Sequence, residues 1–148
     1  MHRKILLYLF LSIGLLLASC SDDDNPSDGG DTPKEMSAKV DGESWSTSTA
    51  QAQLAGSTMK VFGTSTGNES ISLSLTETSV GDHTGGIASY SIGTTEAYMA
   101  LSFDYSITEY NESDKIIAGT FSFTTMDVTG QSEVKEITDG TFRVKIVN

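Results

Sequence analysis

The chain has 148 residues and is strongly acidic: 20 Asp and Glu stand against 9 Lys and Arg, for a formal net charge of −11. That balance argues against nucleic acid as a partner, because phosphate binding requires clustered Lys and Arg. A single cysteine excludes an intramolecular disulfide, and the length suits one domain once the N-terminal segment is set aside.

The chain opens with a basic head, His2-Arg3-Lys4, followed by thirteen residues, Ile5 to Leu17, that are apolar apart from Ser12 and Gly14. A stable membrane span needs about 18–20 apolar residues, so the pattern predicts a cleaved secretion signal over residues 1–19. Leu17-Ala18-Ser19-Cys20 resembles a bacterial lipobox. The resemblance implies that the Cys20 thiol takes a diacylglycerol and that the new N-terminus is acylated; two or more chains anchor stably, at about 0.8 kcal/mol per buried methylene. The plainer alternative is an ordinary signal peptide with a chance cysteine. Ser21-Asp22-Asp23-Asp24 resembles the surface-export signal of Bacteroidetes lipoproteins, which implies display outside the cell; the plainer alternative is a solvated acidic tether. Adjacent aspartates on a flexible chain do not preorganise a calcium shell. Residues 20–35 hold both prolines and no aliphatic or aromatic side chain, so they are expected to form a disordered acidic tether.

Residues 36–148 are expected to form one domain with fourteen acids and six bases. Ser and Thr supply 34 of these 113 residues and Leu only four, which favours strands with a polar outer face. Met36–Val40 and a run from near Ser44 flank Asp41-Gly42, a hairpin dipeptide whose pairing would set Ala38 opposite Trp45. Thr47–Leu54 is ambiguous. Ala55-Gly56-Ser57 divides Thr49–Leu54 from Thr58–Thr64, and Thr66-Gly67-Asn68 leads into the alternating run Ser70–Thr76. Val80–Gly86 reads as a loop. Met99, Leu101, Phe103, Tyr105 and Ile107 alternate within one predicted strand, Ala97–Ile107, which places Tyr98, Ala100, Ser102 and Asp104 outward, on a second buried face or a binding face. Glu109–Asp114 leads to Lys115–Thr125. Asp139-Gly140 then predicts a closing hairpin of Val134–Thr138 with Thr141–Val147, with Glu136 facing Arg143. The expectation is an all-β antiparallel meander of about eight or nine strands, forming a flattened barrel or sandwich.

Val40-Asp41-Gly42-Glu43-Ser44-Trp45 resembles the V-D-G-x-x-W opening of many small Bacteroidetes lipoproteins, and Lys115–Phe123 and Ile137–Phe142 resemble the closing strands of one such family. The resemblance spans Ala38 to Val147. It implies an all-β domain of unknown function and carries no catalytic residue. The echo of Gly119-Thr120-Phe121 in Gly140-Thr141-Phe142 predicts two adjacent strands with similar roles.

Signals for chemistry are sparse. Gly63-Thr64-Ser65-Thr66-Gly67 matches G-x-S-x-G, but a nucleophile elbow needs a following helix, and a strand follows here. His83, beside Asp82, is the only histidine beyond the predicted signal. It lacks the companions of a triad or a zinc site. Carboxylate pairs that cleave glycosides have no sequence signature among fourteen acids. Trp45 is read as core. Tyr98 and Tyr110 remain as weak ligand candidates, aromatics of the kind that stack on sugar rings. No cofactor or metal is expected. The expected role is a non-enzymatic binding or interaction module, lipid-anchored at the outer membrane and exposed on the surface of a Gram-negative bacterium, with an extracellular glycan or protein as ligand. A small carboxylate-based hydrolase and a structural or accessory envelope subunit are the alternatives.

Overall fold

The computed structural model describes residues 35–127 and 133–147. The predicted signal, Cys20, Ser21-Asp22-Asp23-Asp24 and almost all of the predicted tether lie outside these residues. The described residues are all-β and contain no helix. In chain order the strands are β1 (Glu35–Val40), β2 (Glu43–Thr47), β3 (Gln51–Ala55), β4 (Thr58–Thr64), β5 (Glu69–Leu75), β6 (Gly81–Gly85), β7 (Ile87–Ile92), β8 (Glu96–Ala100), β9 (Phe103–Asn111), β10 (Ile116–Thr124), β11 (Met126–Asp127) and β12 (Glu136–Val147).

Hydrogen bonding links ten of them in the path β11-β8-β7-β5-β4-β3-β12-β10-β9-β6, with β1 on β12 and β2 on β1 as a branch. The path does not close, so the barrel expectation is replaced by a flattened, sandwich-like arrangement. The meander expectation also gives way at one place: β12 pairs with β3 in parallel, Ile146 opposite Ala52. One layer is β6-β9-β10-β12-β1-β2 and the other β11-β8-β7-β5-β4-β3. The layers share a corner. There β6 passes into β7 at Gly86, β8 into β9 at Leu101-Ser102, and β10 into β11 at Thr125. Strands that bend between sheets are the usual way such corners form.

Alternation dictates the inside. Val61, Ile71, Leu73, Leu75, Ile117 and Val144 are wholly buried between the layers, with Phe103, Phe121, Phe123 and Phe142 packed around them. Burying each such side chain contributes about 1.5–3 kcal/mol. Ala38 does pair with Trp45 across the Asp41-Gly42 turn. Both turn residues have positive φ, 51° and 86°, as a tight hairpin requires. The Trp45 indole N–H donates to the Glu69 carbonyl at 3.3 Å, and the Thr47 hydroxyl donates to the Thr64 carbonyl at 2.7 Å, tying β2 to the other layer through side chains.

Three local expectations are corrected. Ala97–Ile107 is two strands in different layers, broken at Leu101-Ser102, and the break resets the alternation. In β8 Tyr98 and Ala100 face the core, while Leu101 is 63% exposed. Asp139-Gly140 is no hairpin: β12 runs unbroken from Glu136 to Val147, flanked by both β10 and β1, and its register slips against each of them around Asp139. Asp139 (φ 51°) accommodates this bulge, because the dipeptide that suits a tight turn equally suits a bulge. Arg143 therefore reaches over Ala118 to Glu109 on β9, with Nε 3.2 Å from the carboxylate, rather than to Glu136. The segment read as the loop Val80–Gly86 contains β6, an edge strand on β9.

Candidate functional site

Period two places Asp82 and Thr84 of β6, Asp104 and Ser106 of β9, Thr120 and Ser122 of β10, and Thr138 and Thr141 of β12 on the side of the sheet away from the core. Pairing then aligns them in rows. Asp82, Ser106, Thr120 and Thr141 lie directly opposite one another across four strands, and the row continues through Ser37 to Ser46. Thr84, Asp104 and Ser122 form the next row. The Asp139 bulge bends β12 beside it, and an open trough of about 810 Å³ results. A smaller hollow of about 340 Å³ shares Asp104, Ser122 and Thr138 with the trough and extends it along the strands to Ser102, Thr124 and Glu136.

The polar groups here are partly pre-engaged. The Thr84 hydroxyl donates to Asp104 Oδ1 at 2.7 Å, Ser37 and Thr141 hydroxyls lie 2.9 Å apart, and Lys39 Nζ sits 2.8 Å from Asp139 Oδ2. That hydrogen bond, and then the aspartate's charge, raise the Lys39 ammonium above its ordinary pKa. Among the described residues neither Lys nor Arg lines the trough; Tyr105 and Phe121 beneath it are buried on the core side, and His83 of β6, half-buried, lines it as well. Among the described residues no group of three His, Cys, Asp or Glu side chains is placed to hold a metal ion.

The residues singled out from sequence fall elsewhere or are already engaged. Ser65 sits in the β4–β5 turn, where its hydroxyl accepts from the Glu69 N–H at 3.3 Å; no helix follows it. His83 lies over the Tyr105 ring, 5.2 Å between centroids, and its Nε2 donates to the Ser79 carbonyl at 2.7 Å. The histidine and the serine thus have separate partners and do not form a catalytic couple. Tyr98 is 5% exposed and stacks on Tyr90; its hydroxyl reaches Glu96 (3.0 Å) and Glu133 (3.2 Å), and Lys135 lies over its ring. Desolvation first, and those two carboxylates second, push its phenol up to about 12. Tyr110 is half-buried against the core. Tyr98 therefore offers no free ring face, and Tyr110 is open only in part.

A family model matches residues 32–144. The chain belongs to the family described as domain of unknown function (DUF6252). No curated protein and no solved structure matches it. Membership in DUF6252 thus brings no catalytic residue to place, and the trough rests on the geometry of this chain. Sequence reading missed its hydroxyls. The outward Ser and Thr were visible, but the same alternation marks Ser70, Ser72 and Ser74 on the other layer, and only strand pairing separates the two sets.

Proposed function

We propose that the domain is a non-enzymatic binding module, held outside the outer membrane of a Gram-negative bacterium by lipid on Cys20, with the β6-β9-β10-β12 trough as its ligand-contacting face. The observation that carries the reading is the trough itself: a broad, open concavity on paired strands, lined by hydroxyl and carboxylate side chains, in which the lining His83 is held by the Ser79 carbonyl and activates no hydroxyl. Open polar concavities suit binding of an extended partner, whereas catalysis favours a pocket that excludes water. The anchor rests on Leu17-Ala18-Ser19-Cys20 and on the acidic residues Asp22, Asp23 and Asp24 that follow. In cells, the full chain is expected to take up labelled fatty acid and to be cut by external protease, and Cys20→Ala is expected to lose both properties. A domain untouched by external protease contradicts surface display.

A second reading, a carboxylate-based hydrolase, is favoured by one observation: Asp82, Asp104 and Asp139 border the same trough. Asp139 is neutralised by Lys39, which leaves Asp82 and Asp104 as its acids. Turnover of a glycoside by the wild type that is abolished in Asp104→Asn replaces the binding reading with this one.

A further inference from the structure

We infer that the trough takes a neutral, polyhydroxylated chain, a glycan strand lying along the sheet. The inference rests on the binding-module reading above and specifies its ligand. In both of the rows described above, the outward positions on β6, β9 and β10 are Ser, Thr or Asp, and the third level ends in Thr124 opposite Glu136. Hydroxyls donate and accept equally well, and carboxylates accept from paired hydroxyls. Such a surface answers a sugar ring, whose hydroxyls do both.

With no Lys or Arg in the lining, Asp139 neutralised by Lys39, and Asp82, Asp104 and Glu136 left as net charge, phosphate, uronate and sulfate groups meet like charge. With Tyr105 and Phe121 buried and no Val, Ile, Leu or Met in the lining, the trough presents only threonine methyls and short side-chain methylenes to a lipid tail. From the bend residue Ser102 to Ser106 on β9 the trough runs about 14 Å, and its four strands span a similar width. That is room for a short run of sugar rings with both ends of the chain free to continue.

Without a stacking platform, each direct hydrogen bond gains roughly a factor of five over water, so a single site binds weakly, on the order of millimolar. Many anchored copies on one surface convert this into firm retention of a long polymer by avidity.

The test is retention of soluble polysaccharides by the purified full-length chain immobilised at high density. Neutral mannan, xylan, β-glucan and galactan are compared with anionic pectate and hyaluronan. Wild type is expected to retain at least one neutral polymer and neither anionic one. Thr120→Arg, at the centre of the trough, is expected to cut retention tenfold or more, and Asp104→Asn severalfold. Both sites are exposed, so unchanged thermal melting confirms that the variants fold. Retention of the anionic polymers only, or neutral retention indifferent to Thr120→Arg, overturns the inference. If nothing on the panel is retained but a protein partner is captured in a Thr120-dependent way, the glycan inference falls while the binding face stands. If neither occurs, both fall.

Discussion

Gly119 and Gly140 lie directly across from Phe142 and Phe121, so each Gly-Thr-Phe triplet supplies the glycine over which the other's ring lies. A Cβ on Gly140 would come 2.5 Å from the Phe121 carbonyl oxygen and 2.6 Å from its ring; one on Gly119 would come 2.2 Å from the Ser106 carbonyl oxygen. Backbone oxygen cannot step aside as a flexible side chain can, so Gly119→Ala and Gly140→Ala are each expected to cost about 3 kcal/mol in urea unfolding. Gly56→Ala is the control: φ is 67° and nothing lies within 4 Å, so only the backbone cost of about 1 kcal/mol applies. The echo of the triplet was legible in the sequence; the reciprocal fit was not, since it depends on the register of β10 against β12. Asp41 shows the same dependence on a distant partner. Its N–H donates to the Glu136 carbonyl (2.8 Å), Oδ1 accepts from the Glu136 N–H (2.9 Å), and Lys135 Nζ lies 3.2 Å from Oδ2. The backbone hydrogen bond chiefly, with help from Lys135 and against desolvation, holds this carboxyl below its usual range. A depressed pKa contributes stability above the unfolded-state value and loses it as pH falls through the folded-state value. Asp41→Asn keeps the turn conformation and removes the charge. It is expected to cost about 0.5–1 kcal/mol at pH 7, discounted for exposure, and the gap from wild type is expected to shrink as pH falls below about 4, read from urea midpoints across pH.

Among the elements, the corner is where sequence pattern and structure part company. A bend between layers costs almost no residues: one at Gly86, two at Leu101-Ser102, one at Thr125. The run Ala97–Ile107 therefore reads as continuous, yet its inward residues change parity at the bend, which is why Tyr98 is buried and Leu101 exposed. Gly86 carries the tightest of these crossings. Its φ is 75°, and a Cβ there would stand 2.2 Å from the Ser74 carbonyl oxygen. Gly86→Ala is expected to destabilise the domain by about 3 kcal/mol or more, strain and overlap acting together, seen as a lowered melting temperature. At Thr125 the crossing is held differently: its N–H donates to the Lys135 carbonyl and its buried hydroxyl accepts from the Lys135 N–H, both at 2.9 Å. The Asp139-Gly140 bulge belongs to the same scale. An Asp-Gly pair whose Asp takes positive φ ends a strand when solvent lies beyond it and merely kinks one when neighbours pair on both edges, as β10 and β1 do here.

On the scale of the whole molecule, β12 is the piece on which the others depend. It pairs with β10 along one edge and with β1 and then β3 along the other, so it carries the branch and joins the two layers. Because β10, β1 and β3 all pair with it, removal of residues 136–148 is expected to abolish the cooperative unfolding transition, monitored by denaturant titration, rather than shift its midpoint. Alternation of Ser, Thr and Asp with Val, Ile, Leu and Phe determined an all-β domain and the membership of most of the core, and the Asp41-Gly42 turn set the pairing of Ala38 with Trp45, because side-chain direction along a strand and turn conformation are local properties. The order of strands, the open seam between β6 and β11, the parallel β12–β3 pair, the parity of β8 and the gathering of the trough from four separate strands were decided only by tertiary structure. Those features depend on which backbone edges meet across long separations in sequence, as Ile146 meets Ala52, and neither composition nor spacing within a segment specifies that pairing.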